Sequence, residues 1–214
     1  MPGGQTFLKK RLKIWRGTVF RYFKIWYDKK VKRGQMKVKG MGKVERISME
    51  ELYRTTLAVL HDRGVEMEAI GALVLSLQKK YYNDLTLDEC MANVDAVLHK
   101  REIAHAILTG VALDELAEKR QLPQPLQSII ESDEPLYGID EIIPLSIVNV
   151  YGSIGLTNYG YLDKEKIGIL KELDAHKGEK VNTFLDDLVA AVAAAAASRI
   201  AHSGKKMETY KKQI

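Results

Sequence analysis

Residues 183–198 read T-F-L-D-D-L-V-A-A-V-A-A-A-A-A-S, and no other stretch restricts the fold as strongly. Alanine is the best helix former, and side chains this small let neighbouring helices approach closely. The stretch is therefore predicted to be a central helix with others packed round it. It opens on two adjacent carboxylates, Asp186 and Asp187. Thr183 can cap the helix, and acids in a first turn favour its macrodipole, so capping alone accounts for one acid. Adjacent acids repel one another and point about 100° apart on a helix, which suits a divalent cation held between several helices. A metal site then needs further acids elsewhere in the chain.

With 214 residues, 46% of them hydrophobic and 29% charged, the chain can bury one sizeable core. The charge is unevenly spread. Residues 1–40 carry 13 Lys and Arg against one acid, Asp28, while the remainder carries 20 bases and 27 acids. This predicts a basic arm over 1–40, an all-helical body of catalytic type over 41–204, and a frayed lysine-rich end over 205–214. An acidic body offers no basic face for nucleic acid, so no nucleic-acid partner is expected. Cys90 stands alone, which excludes an intrachain disulfide, and no Cys/His spacing resembles a zinc site. No uninterrupted apolar run reaches the roughly 18 residues of a membrane span, and no signal peptide is recognisable, so a cytoplasmic protein is expected.

Within the arm, Leu8, Leu12, Trp15, Val19 and Trp26 fall at helical spacing with Lys9, Lys10, Arg11, Lys13, Arg16, Arg21 and Lys24 beside them. Such a basic amphipathic helix can lie in an anionic membrane surface. An RNA-binding arm and an upstream extension ahead of Met36 or Met41 are the other readings.

Along the body, Ser48-Met49-Glu50-Glu51 and Thr86-Leu87-Asp88-Glu89 have the capping-box form. They open a first helix that ends near Gly64 and a third that runs to Gly110, with a break near Lys100. A second helix is predicted over 66–79, short helices over 111–119 and from Leu126, and a further helix over 164–173. From Ile139 the apolar, β-branched run leaves a strand open, but Pro144 and the absence of hairpin signals favour a helix. The predicted fold is all-α: a compact bundle round the Ala-rich helix.

Asp140 and Glu141 follow Gly138 at a helix start, the same placement as Asp186 and Asp187, and Asp163 and Lys166 lie between the two pairs. In a compact helical body these acids could converge on one Mg²⁺, which takes oxygen ligands and keeps room for water and phosphate. This order, with Leu162-Asp163-Lys164-Glu165-Lys166 in the middle and Ala190-Ala191 after the second pair, resembles the phosphatidylglycerophosphatase A family. The resemblance covers about residues 100–200, with its clear motifs within 138–194. Three positions depart from the family pattern. Gly160 stands where the family has Arg, Ile167 where it has Pro, and the N-terminal P-G-T-x-G-S motif is missing, with Thr109-Gly110 its one faint counterpart.

The resemblance implies Mg²⁺-dependent removal of the terminal phosphate from phosphatidylglycerophosphate, giving phosphatidylglycerol. It implies a phospholipid substrate and a peripheral location at the inner, anionic face of the membrane. An oligomer is left open. Asp140, Glu141, Asp186 and Asp187 are the metal candidates. Asp163 is a ligand or general base, Lys166 a phosphate contact, and Asp163, Lys166 and Asp186 form the catalytic set. Ser153 and Asn158, in the polar, glycine-spaced stretch G-S-I-G-L-T-N-Y-G, could line the headgroup, though helix packing by small residues explains that stretch equally well. For Asp163 and Lys166 the plainer readings are a helix-start acid and a solvated lysine. His61, His99, His105, His176 and His202 share no ligand spacing. Two other readings compete with the phosphatase: a non-catalytic binding or regulatory protein on the same scaffold, and a phosphohydrolase for a soluble ester.

Overall fold

The computed structural model describes residues 46–175 and 180–203. The chain divides into two units, Met1–Arg46 and Ile47–Ile214, and every described helix lies in the second. The basic arm over 1–40 and the end over 205–214 lie outside the described residues.

Among the described residues every regular element is helical. In order these are α1 (Met49–Asp62), α2 (Met67–Gln78), α3 (Leu87–Leu98), α4 (Arg101–Glu118), α5 (Leu126–Glu131), α6 (Ile139–Val148), a 3-10 turn (Asn149–Tyr151), α7 (Gly152–Glu165), α8 (Ile169–Asp174) and α9 (Leu185–His202). Ser48 caps α1 by accepting from the Glu51 N–H, and Thr86 and Glu89 close a full capping box on α3. The strand alternative from Ile139 is not taken up: Pro144 lies inside α6.

The Ala-rich helix is the centre of the described helical body. Helices α2, α3, α4, α6, α7 and α8 all pack on α9, and residues 185–198 are buried on every side. A helix apolar all round belongs in a core, and Phe184, Leu185 and Leu188 at its start are fully buried, each contributing about 1.5–3 kcal/mol.

Three local expectations are corrected. The break expected near Lys100 falls at His99-Lys100, but the end expected at Gly110 does not occur: α4 runs through Gly110 and takes in the short helix expected over 111–119. Gly110 is no stop signal, because an added Cβ there would lie 2.6 Å from Leu188 Cδ1 and 3.0 Å from Phe184 Cβ, so its bareness sets the approach of α4 to α9. The helix expected over 164–173 is split. Lys166 ends α7 in the left-handed region at φ 42°, and Gly168 follows at φ 55° before α8 begins. Thr183 does not cap α9: its hydroxyl donates to the Ile130 carbonyl at 2.7 Å.

Candidate active site

The turn between α7 and α8 brings Lys166 to the start of α9. Asp186 and Asp187 in the first turn of α9 and Asp163 in the last turn of α7 surround its ammonium, and Nζ donates to Asp163 Oδ1 at 2.8 Å, Asp186 Oδ2 at 2.7 Å and Asp187 Oδ1 at 3.0 Å. Lys166 stands four residues after Leu162 and seven after Tyr159, on the stripe that α7 turns toward the core. The end of α7 at Lys166 meets the start of α9, and the cluster forms where the two come together.

Three carboxylates face one ammonium, and most of the cluster is sheltered from water. Burial alone would lower the Lys166 pKa, but Asp186 and Asp187 outweigh it and hold the lysine charged. The excess negative charge falls on the acids. Burial, and then the neighbouring Asp186, push Asp187 up to about 8. Burial also raises Asp186, against the pull of Lys166. Asp163 differs from both: its side chain is 34% exposed, against 9% for Asp186 and 6% for Asp187, so it is the member that water reaches.

The other acid pair opens α6. The Tyr159 hydroxyl is buried without a hydrogen-bond partner, and its pKa is raised by burial and then by Asp187, Asp163, Glu141 and Asp186, which puts Glu141 in the same electrostatic field as the Lys166 cluster. Glu141 itself is exposed, whereas Asp140 Oδ1 is buried and unbonded. Pro144, having no N–H, cannot donate to the Asp140 carbonyl four residues earlier.

These residues fit a hard divalent cation in their chemistry: oxygen donors in excess of the positive charge that faces them, and an orphaned carboxylate oxygen at Asp140. They do not form a ready-made cage, since among the described residues no three Asp, Glu, His or Cys side chains are grouped closely enough to hold a metal ion. Lys166 lies within that set of donors.

Ser153 and Asn158 lie elsewhere on α7. They line a cavity of about 260 Å³ with Gln78, Tyr81, Ile154, Thr157 and Ala201, a lining that includes none of the acids. At a rise of about 1.5 Å per residue, Ser153 is about 15 Å up the helix from Asp163.

Sequence reasoning missed the residues that hold the start of α9 in place. Asp114 on α4 accepts from the N–H of Phe184 and of Leu185, each at 3.1 Å, and so caps α9 from another helix. Burial outweighs these bonds and the nearby Arg63, and pushes Asp114 up to about 8. Arg63, itself buried, pairs with Glu118 at 2.7 Å and donates to the Val181 carbonyl at 2.5 Å and to Asn182 Oδ1 at 2.7 Å. Glu118 in turn accepts from the Val181 N–H at 2.8 Å. One signal was available: Asp114 interrupts the apolar stripe Ile103, Ile107, Val111 and Ala117, and a charge on a buried face calls for a partner.

The family described as Phosphatidylglycerophosphatase A matches residues 57–202, a span that contains all of these groups. The uncharacterized protein YpjQ of Bacillus subtilis (strain 168) is 60% identical over 170 residues, covering 79% of this chain and 96% of its own. The crystal structure of ypjQ from Bacillus subtilis superposes with a TM-score of 0.71 at 64% identity, covering 73% of this chain and 97% of that one. The crystal structure of the low temperature requirement C protein from Listeria monocytogenes gives a TM-score of 0.71 at 59% identity, covering 73% and 98%.

Proposed function

The chain belongs to the phosphatidylglycerophosphatase A family, and from that premise we propose that it removes the terminal phosphate of phosphatidylglycerophosphate, giving phosphatidylglycerol, with Mg²⁺ as cofactor. The observation that carries this reading is the meeting of Lys166 with Asp163, Asp186 and Asp187, drawn from two separate motifs of the family pattern. Asp186 and Asp187, with Asp140 and Glu141 contributing, would hold the cation. When bound, it would polarise a phosphoryl oxygen and lower the pKa of water.

The chain's own side chains divide the remaining work. The Lys166 ammonium, kept charged by its neighbours, offsets the charge of the phosphate. The Asp163 carboxylate is the most exposed of the three round Lys166; it accepts a proton from the attacking water as the new P–O bond forms, and passes it to the glycerol oxygen as that oxygen's bond to phosphorus breaks, leaving a hydroxyl and inorganic phosphate. The Asp114 and Arg63 contacts keep the first turn of α9, and with it Asp186 and Asp187, in register with Lys166. A phospholipid substrate would place the protein at the inner, anionic face of the membrane as a peripheral enzyme.

A second reading, a non-catalytic binding or regulatory protein, is favoured by Gly160 and Ile167 standing where the family has Arg and Pro. Phosphate release from phosphatidylglycerophosphate, with Mg²⁺ and with chelator, separates the two. The expected result is release that chelator abolishes and that Asp186→Asn abolishes in a folded protein, because the amide keeps the size but loses the charge. An inactive wild type in saturating Mg²⁺ selects the binding protein, and a fully active Asp186→Asn rejects the site.

A further inference from the structure

The end of α9 opposite the acid cluster carries a cavity of a different character. It has a volume of about 570 Å³, and its lining includes Asn93 of α3, Tyr151 of the 3-10 turn, Gly152 at the start of α7, and Arg199, His202 and Ser203 at the end of α9. The described lining holds no acid, although the chain beyond residue 40 carries 27 acids against 20 bases. Lys100 adds a further positive charge, its Nζ 4.6 Å above the ring of Tyr151.

Arg199 is the group that calls for a ligand. Its Nε is buried without a hydrogen-bond partner, and no hydrogen bond or ion pair joins its guanidinium to a described residue. A guanidinium stays charged and presents five N–H donors in a planar fork, so burying part of it without an acceptor costs free energy that a bound oxyanion offsets. Bases in a last turn favour the helix macrodipole, which accounts for the sign of the charge here. It does not account for the unmet donor. His202 does serve the carbonyls of α9: its Nδ1 donates to the Ser198 carbonyl at 2.7 Å, leaving Nε2 as the other ring nitrogen. Arg199 makes no such bond. Asn93 Nδ2 donates one hydrogen to the Glu89 carbonyl at 2.9 Å and has a second to give. The first turn of α7, which no side chain caps, brings the positive end of a 14-residue helix to the same wall at Gly152. Donors thus come from three elements. A planar carboxylate presents its two oxygens on one side, whereas a tetrahedral phosphate presents oxygens to all three. At a rise of about 1.5 Å per residue, Arg199 is about 18–20 Å along α9 from Asp186 and Asp187, so a phosphate held here is not the one placed at Lys166.

We propose that the cavity at the end of α9 binds a phosphate group, with Arg199 as its main donor and His202, Asn93 and the first turn of α7 beside it. The group is a free phosphate ion or the phosphodiester of a lipid headgroup, and the site stands whether or not the chain is a hydrolase. Calorimetric titration of the full chain in chelator and at low salt tests it with two probes: inorganic phosphate, and dihexanoyl phosphatidylglycerol below its micelle concentration. The expected result is saturable binding at one site by at least one probe. Arg199→Gln removes the fork, and Asn93→Asp sets a carboxylate in the lining; each should weaken binding about tenfold or more with the helical circular dichroism retained. Asn93→Asp keeps the test decisive if Arg199→Gln loses its melting transition. A lipid bound about tenfold or more tighter than the ion assigns the site to a headgroup, and any other ratio assigns it to a free phosphate. Saturable binding by neither probe overturns the proposal. So does binding that either variant, folded, leaves unchanged, which is the result that a phosphate held at Lys166 would give.

Discussion

Lys166 neutralises buried carboxylates that have little water to turn to. Replacing it by Met keeps the stem and removes the charge, leaving Asp186 and Asp187 confronting each other. The expected cost at pH 8 is about 3–5 kcal/mol, the scale for breaking a buried ion pair. At pH 5 the cost should shrink, because Asp187, pushed up to about 8, then carries a proton and needs no counter-charge. Urea unfolding of Lys166→Met at the two pH values checks this, and an equal loss at both would be the contrary result. Asp114 acts on the same helix start by a different route. Asp114→Ala should cost about 1–3 kcal/mol by leaving the Phe184 and Leu185 N–H groups buried without acceptors, and Asp114→Asn, which keeps one oxygen, should cost less.

At the scale of the element, two glycines inside helices make opposite demands. Gly110→Ala adds a methyl that would sit 2.6 Å from Leu188 Cδ1, so α4 and α9 must separate, with an expected loss of about 1–3 kcal/mol despite the better helix propensity of Ala. Gly160 lies within α7 with nothing within 4 Å of the added Cβ, so Gly160→Ala should stabilise by up to about 1 kcal/mol. Thermal melts of the two variants should therefore shift in opposite directions. The same open space explains how this chain tolerates a glycine where the family has an arginine: no packing depends on that position. Glycine also sets limits on reading a sequence. Gly64, at φ 86°, ends a helix as expected, and Gly110 does not, because what Gly110 serves is a contact with a helix some 75 residues further on, which local periodicity does not register.

For the whole molecule, Asp114 and Asp187 make stability depend on pH. Both have folded pKa values raised to about 8, above the ordinary 3.8 of an unfolded Asp, so between these values the folded state holds protons that the unfolded chain has released. Their contribution is fully present below about pH 4 and is lost as pH rises through about 8. Each group adds a slope of about 1.4 kcal/mol per pH unit in that window. In chelator, wild-type stability should thus fall from mildly acidic to mildly alkaline pH, and Asp187→Asn should flatten the fall. A wild-type protein whose stability rises steadily over the window would contradict both assignments. On the proposed Mg²⁺ role, added Mg²⁺ should reverse the alkaline loss, since the cation would bind the ionised acids of the folded state.

Much of this was legible in the residues themselves. A long alanine run is a helix by propensity and a core helix for want of any polar side, so the all-α class and the burial of α9 followed from local chemistry. The acid pairs opening α6 and α9 were visible as helix-start acids, and their shared order with the family pattern marked the site region. What the tertiary structure alone decided is how that region is assembled. The cap on α9 comes from Asp114, 70 residues before Phe184, and no local signal for Thr183 could compete with it. Lys166 reads as a solvated helix residue until the packing of α7 on α9 sets it among Asp163, Asp186 and Asp187. Propensity and periodicity act over a few residues, whereas charge balance, desolvation and close helix approach depend on which distant residues the fold makes neighbours.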